Sequence, residues 1–138
     1  MIKNELKSVG RLFTSIMSLN PINRDTMRQL KVLKDEEQRL SKVNKLVYEL
    51  YSAAVETAMY STNTSYTYEL LHDKYFILAN IQEILEYIQE LFPDCSVKHT
   101  LMARGRDRKM YDISTIDDSK LPLVNHVEPN SYIVIDWS

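Results

Sequence analysis

Four cations fall within six residues at Arg104-Gly105-Arg106-Asp107-Arg108-Lys109, with Asp107 the single acid among them. Guanidinium forks and an ammonium this close together suit phosphate oxygens or carboxylates. Arg104, Arg106, Arg108 and Lys109 are therefore the candidate residues for binding an anionic partner, be it nucleic acid, a lipid surface or an acidic protein patch. The opposing reading is a solvated hairpin end, since charges also keep strand edges from pairing with other chains. Other chemistry finds less support. His72, His99 and His126 lie on separate segments, with no i, i+4 partner and no HExxH spacing for a metal. Glu83, Glu86 and Glu90 share one helix face, but no second acidic face supplies the further ligands a cation needs, so a solvated face or a partner for basic residues is the better reading. No serine, nor Cys95, sits in a GxSxG elbow, and two glycines cannot write a Walker loop or a dinucleotide fingerprint. The expectation is a non-enzymatic protein with no cofactor, no metal and no small-molecule substrate.

The elements that must carry the basic turn follow from periodicity. After Asp94 the apolar period changes from 3.6 to 2: Val97, His99 and Leu101 alternate with Lys98, Thr100 and Met102, and Met110-Tyr111-Asp112-Ile113 returns beyond the turn. That is a hairpin with the cations at its tip. Ser131-Tyr132-Ile133-Val134-Ile135-Asp136-Trp137-Ser138 is β-branched and aromatic and adds a third strand, and residues 114–130, with Pro122 and Pro129, form an irregular connection.

Upstream the spacing is helical. Leu6, Val9, Leu12, Phe13, Ile16 and Met17 predict a short amphipathic helix within residues 1–20 that docks on the fold or on a partner. A second helix runs from Asp25, as N-cap, to about Tyr60. Its seam of Leu33, Leu40, Val43, Val47, Leu50 and Ala54 is interrupted at Glu36 and Glu37. A third helix, 66–92, follows the polar break Ser61-Thr62-Asn63-Thr64-Ser65 and stops before Pro93. Its core face is Leu70, Leu71, Tyr75, Leu78, Ile81, Leu85, Ile88 and Phe92, widened by Phe76, Ile84, Tyr87 and Leu91. The expected fold is α+β, mainly α: one domain over 1–138, with a long antiparallel helical hairpin (25–60 and 66–92), a short N-terminal helix, and a small C-terminal antiparallel sheet within 96–138.

Net charge is −2, but residues 1–45 sum to +5, 46–95 to −7 and 96–138 to zero. This asymmetry suits internal pairing of the basic and acidic halves, with head-to-tail ordering of copies as the alternative. No run of eighteen apolar residues predicts a membrane span, the start lacks the apolar core of a secretory signal, and one cysteine cannot make an internal disulfide. An intracellular, non-secreted protein is expected, so the sequon at Asn63-Thr64-Ser65 reads as chance. Tyr48, Tyr51, Tyr60, Tyr66, Tyr68 and Tyr75 gather around the helical break, where rigid amphipathic rings suit a protein interface or ordinary core packing.

The C-terminal third resembles small proteins encoded by large double-stranded DNA viruses of algae and protists. The likeness is carried by Phe92-Pro93-Asp94-Cys95, by Arg104-Gly105 with Tyr111-Asp112-Ile113, and by the ending from Ser131 to Ser138. It implies a viral protein made in a host cell and working there or in the virion, with a minor capsid component as one class, and it transfers no site residue. Helix length, apolar breadth and charge asymmetry favour a structural or assembly protein that self-associates or holds protein partners. A nucleic-acid-binding accessory protein, using the Arg-rich turn with Arg24, Arg28, Lys31 and Lys34, is the second reading.

Overall fold

The computed structural model describes residues 21–138, so the amphipathic helix expected within 1–20 lies outside the described residues. The chain divides into two compact units, Met1–Leu46 and Val47–Ser138, with the boundary inside the first described helix. That helix, α1, spans Arg24–Tyr60, and its 37 residues give a length of roughly 55 Å. The capping residue is Asn23 rather than Asp25: its Oδ1 accepts from Thr26 N–H at 2.8 Å and its carbonyl from Met27 N–H at 3.0 Å. Asp25 sits in the first turn instead, where a carboxylate complements the positive end of the helix dipole.

Within the first unit, Leu40, Val43 and Leu46 are buried and follow the expected seam. Ion pairs run along the helix surface, among them Lys31 to Asp35 at 2.9 Å, Lys34 to Glu37 at 3.8 Å and Arg39 to Glu36 at 2.6 Å. Arg39 grips Glu36 with two nitrogens, and this bond holds the Glu36 carboxyl below its ordinary range. The acids that interrupt the seam are thus matched at i, i+3 by the basic residues of the same helix.

In the second unit α1 buries Val47, Leu50 and Ala54. Its end carries two hydroxyls that bond back to helix carbonyls, Thr57 to Ala53 at 2.8 Å and Ser61 to Thr57 at 2.7 Å. The next segment departs from expectation. Ser65–Glu69 is a strand, β1, not the start of a helix, and helix resumes only at α2, Lys74–Ala79. Ser-Tyr-Thr-Tyr-Glu suits a pleated surface, and pairing with the last strand decides the matter. Leu70, expected on a helix face, is buried in the turn after β1, while Leu71 and Tyr75 are exposed. Asn80 breaks the helix, its amide donating to the Phe76 carbonyl at 2.8 Å. Then α3, Ile81–Leu91, buries Ile84 and Ile88 one turn apart and stops before Pro93.

The sheet has four antiparallel strands in the order β1-β4-β2-β3, with β2 at Ser96–Arg104, β3 at Met110–Asp112 and β4 at Asn130–Asp136. The last strand is therefore central, between β1 and β2. Central placement explains its composition, because Ile133, Val134 and Ile135 are all buried although they alternate between faces. One face carries Tyr66, Tyr68, Val97, His99, Ile133 and Ile135; the other carries Glu69, Lys98, Thr100, Arg104, Asp112 and Tyr132. Helix α3 packs against β2. The connection to β4 holds a 3-10 turn, Asp118–Lys120, and a single helical turn, α4, Leu121–Val124.

Candidate nucleic-acid or protein interface

The basic turn joins β2 to β3 and is a built structure. Gly105 N–H donates to the Lys109 carbonyl at 2.8 Å, and Arg108 N–H to the Gly105 carbonyl at 2.9 Å. Arg106 N–H donates to the Leu123 carbonyl at 3.1 Å, which ties the turn to α4. Arg108 takes a left-handed φ of 68°. Glycine at 105 is dictated by crowding: a Cβ there would lie 2.7 Å from the Asp107 carboxylate and 2.9 Å from the Tyr111 ring. Asp107 accepts from Lys109 N–H at 3.2 Å and from the Tyr111 hydroxyl. The Tyr111 bond is the main reason that the Asp107 carboxyl lies below its usual range, and the same bond pushes the Tyr111 hydroxyl up.

The four candidate cations do not behave alike. The Arg104 guanidinium donates to the Arg108 carbonyl at 2.9 Å and so is turned onto its own loop. Arg106, Arg108 and Lys109 are exposed and make no ion pair among the described residues. What remains is a tip presenting three exposed cations, with the Asp107 carboxylate held by the Tyr111 hydroxyl. The second basic group, Arg24, Arg28, Lys31 and Lys34, lies on exposed positions of α1 in the other unit.

Two polar networks on the sheet had no sequence signal, because each joins strands that are separate in the chain. In one, Tyr132 and Asn130 donate to the two oxygens of Glu69 at 2.9 and 3.0 Å, and Lys74 donates to the Asn130 amide oxygen at 2.9 Å. Burial and then the Glu69 bond push the Tyr132 hydroxyl up, and the positive charge of Arg104 opposes them. In the other, Asp112 accepts from Thr100 at 2.8 Å, from the Ser114 hydroxyl and N–H at 2.6 and 2.9 Å, and from Lys98 at 3.1 Å. Burial alone would raise its carboxyl; these donors prevail and bring it to about 2. Both carboxylates are filled by donors from other elements, which makes them ties between strands.

The remaining titratable groups stay apart. His72 and His126 are exposed, His99 is half-buried, and among the described residues no group of three His, Cys, Asp or Glu could hold a metal ion. Glu83 accepts from the Tyr87 hydroxyl at 2.8 Å, and Glu86 and Glu90 face solvent. Among the described residues no helix is long and apolar enough to cross a membrane.

Large apolar groups are exposed along the last part of α1, as they are at Val32, Leu71 and Tyr75. Tyr48 is 70 % exposed, Met59 62 % and Tyr60 80 %, while Tyr51 packs its ring 5.4 Å from that of Phe92. No protein-family model matches the chain, and no curated protein or solved structure resembles it at a significant level.

Proposed function

We propose that this chain is a non-enzymatic assembly protein that acts through protein–protein interfaces, as a component of a larger structure such as a virion. One observation carries the reading: the last part of α1 is apolar on two sides. Val47, Leu50 and Ala54 are buried, whereas Tyr48, Val55 and Met59, which fall within about 40° of one another around the axis, form a second stripe about a third of a turn away. Exposed Tyr and Met are residue types that interfaces favour.

The test is the solution mass of the purified protein by light scattering coupled to size exclusion, over a range of concentration and salt, with and without short duplex DNA. A defined oligomer indifferent to DNA supports the reading. Tyr48→Lys with Met59→Lys should then reduce association while leaving the fold intact, because both side chains are largely exposed.

A second reading, nucleic-acid binding, is favoured by the three exposed cations Arg106, Arg108 and Lys109. Three phosphate contacts would give a salt slope of roughly −2.7 on logarithmic axes, so such binding is weak at physiological salt unless other cations join it. A monomer that shifts with DNA at low salt and releases it at high salt would overturn the ranking.

A further inference from the structure

A depression of about 390 Å³ opens beside the end of α1, at the small end of the roughly 300–1,000 Å³ that ligand sites span. Its lining includes Glu56, Thr57, Tyr60, Ser61, Asn63 and Tyr66, and no cation. The Thr57 and Ser61 hydroxyls are spent on the Ala53 and Thr57 carbonyls. The Glu56 carboxylate, the Asn63 side-chain amide and the Tyr60 and Tyr66 hydroxyls make no hydrogen bond or ion pair among the described residues. Glu49, two turns earlier on the same side of α1, is exposed as well. It lies within electrostatic reach of Tyr68, whose hydroxyl is pushed up by burial and then by the charges of Glu49 and Asp73. Two phenol rings, an unmatched carboxylate and no cation suit a positive group that only donates. A guanidinium answers that description, with five N–H donors, no acceptor and a flat face that stacks on tyrosine.

The basic tip is at the other end of the same sheet. Ser65 and Ser96 both pair with Asp136, so the starts of β1 and β2, with the depression beside them, mark one end. From there β2 runs its 9 residues to Arg104, which puts the tip roughly 25–30 Å away at about 3.3 Å per residue, beyond the reach of a side chain. No copy can fill its own depression with its own tip. We infer that the depression takes the tip of a second copy, with Arg106 and Arg108 laid on the Tyr60 and Tyr66 rings and on Glu56. The inference rests on the assembly reading above and adds a contact separate from the α1 stripe. Charge complementarity selects the occupant. Arg106, Arg108 and Lys109 are exposed without an ion pair among the described residues, and Asp107, the one acid among them, already accepts from Tyr111 and Lys109. The tip is also preformed, held by Gly105 N–H on the Lys109 carbonyl and by Arg104 on the Arg108 carbonyl, so docking orders little chain. The two surfaces differ, so each copy engages one neighbour at each end of its sheet. Copies then follow head to tail into a ring or an open row, according to the rotation between them.

Light scattering of the full chain tests the contact in a Tyr48→Lys, Met59→Lys background, which takes the α1 stripe out of the measurement. That parent should still associate, and less so as salt rises. Arg106→Gln with Arg108→Gln, or Glu56→Gln with Tyr60→Ala, should each raise the dissociation constant roughly tenfold or more. Circular dichroism checks that these changes, all at exposed positions, leave the fold in place. Mixed together, the two variants should form a one-to-one dimer of twice the 16.2 kDa monomer mass and nothing larger, because each pair retains one intact tip and one intact depression. Association of the parent that neither variant weakens, or a mixture that stays monomeric, would overturn the contact and leave the assembly reading intact. A parent that is monomeric while the wild-type chain assembles would do the same, and would leave the stripe as the sole contact. A wild-type chain that is monomeric at every concentration would overturn both this contact and self-association, while capture of other proteins by α1 keeps its own test.

Discussion

Replacing Asp112 with Asn isolates the value of one carboxylate that binds β2, β3 and the turn after β3. The native carboxylate receives four donors from Lys98, Thr100 and Ser114, and its pKa falls from 3.8 to about 2. At 1.36 kcal/mol per pKa unit, that depression corresponds to about 2.4 kcal/mol of preference for the charged form. The Asp112 side chain is 15 % exposed and Lys98 50 %, so solvent screening reduces the contribution to about 1–2 kcal/mol. The sign is set by proton uptake. With a folded pKa below the unfolded one, the unfolded chain binds more protons, and the stabilisation is fully present above about pH 4. It is lost as pH falls through about 2. Urea titrations of both proteins at pH 7, 5, 4 and 3 should show Asp112→Asn less stable by about 1–2 kcal/mol at pH 7 and 5, with the gap closing below pH 4. A gap that stays constant from pH 7 to 3, or one below about 0.3 kcal/mol at pH 7, would refute the assignment of this carboxylate as a charged tie.

Gly105→Ala places a methyl 2.7 Å from Asp107 and 2.9 Å from the Tyr111 ring, and is expected to cost about 1–3 kcal/mol in urea unfolding by displacing the Asp107–Tyr111 bond. Ile88→Ala removes a fully buried side chain of α3 and should cost about 2–5 kcal/mol, read in the same way. Neutralising Arg106, Arg108 and Lys109 together with Gln should leave the thermal midpoint nearly unchanged, since all three are exposed, and should abolish any salt-sensitive retention on duplex DNA.

Local signals along the chain determined a good part of this protein. The heptad-like spacing of Leu40, Val43, Val47, Leu50 and Ala54 marked the body of α1 and the polar break after Tyr60 its end, Pro93 marked the stop of α3, and the change to period 2 marked the hairpin that carries the basic turn. Each depends on neighbours within a few residues, so each is written in consecutive sequence. The α+β, mainly helical class follows from them. Tertiary structure alone decided the rest. Tyr66 and Tyr68 are compatible with a helical start, and their strand exists because Ile133 and Ile135, far along the chain, offer a ladder and a buried face. The same pairing sets β4 at the centre of the sheet, and it brings Tyr132 to Glu69 across 63 residues. The basic turn shows the division within a single motif. Its four cations are legible as letters, but the folding of Arg104 onto the Arg108 carbonyl and the anchoring of Arg106 by Leu123 depend on where the turn and α4 come to rest. Periodicity records which side chains share a face; only the packed chain records which distant groups meet, because contacts between elements are settled by burial and hydrogen bonding over the whole fold.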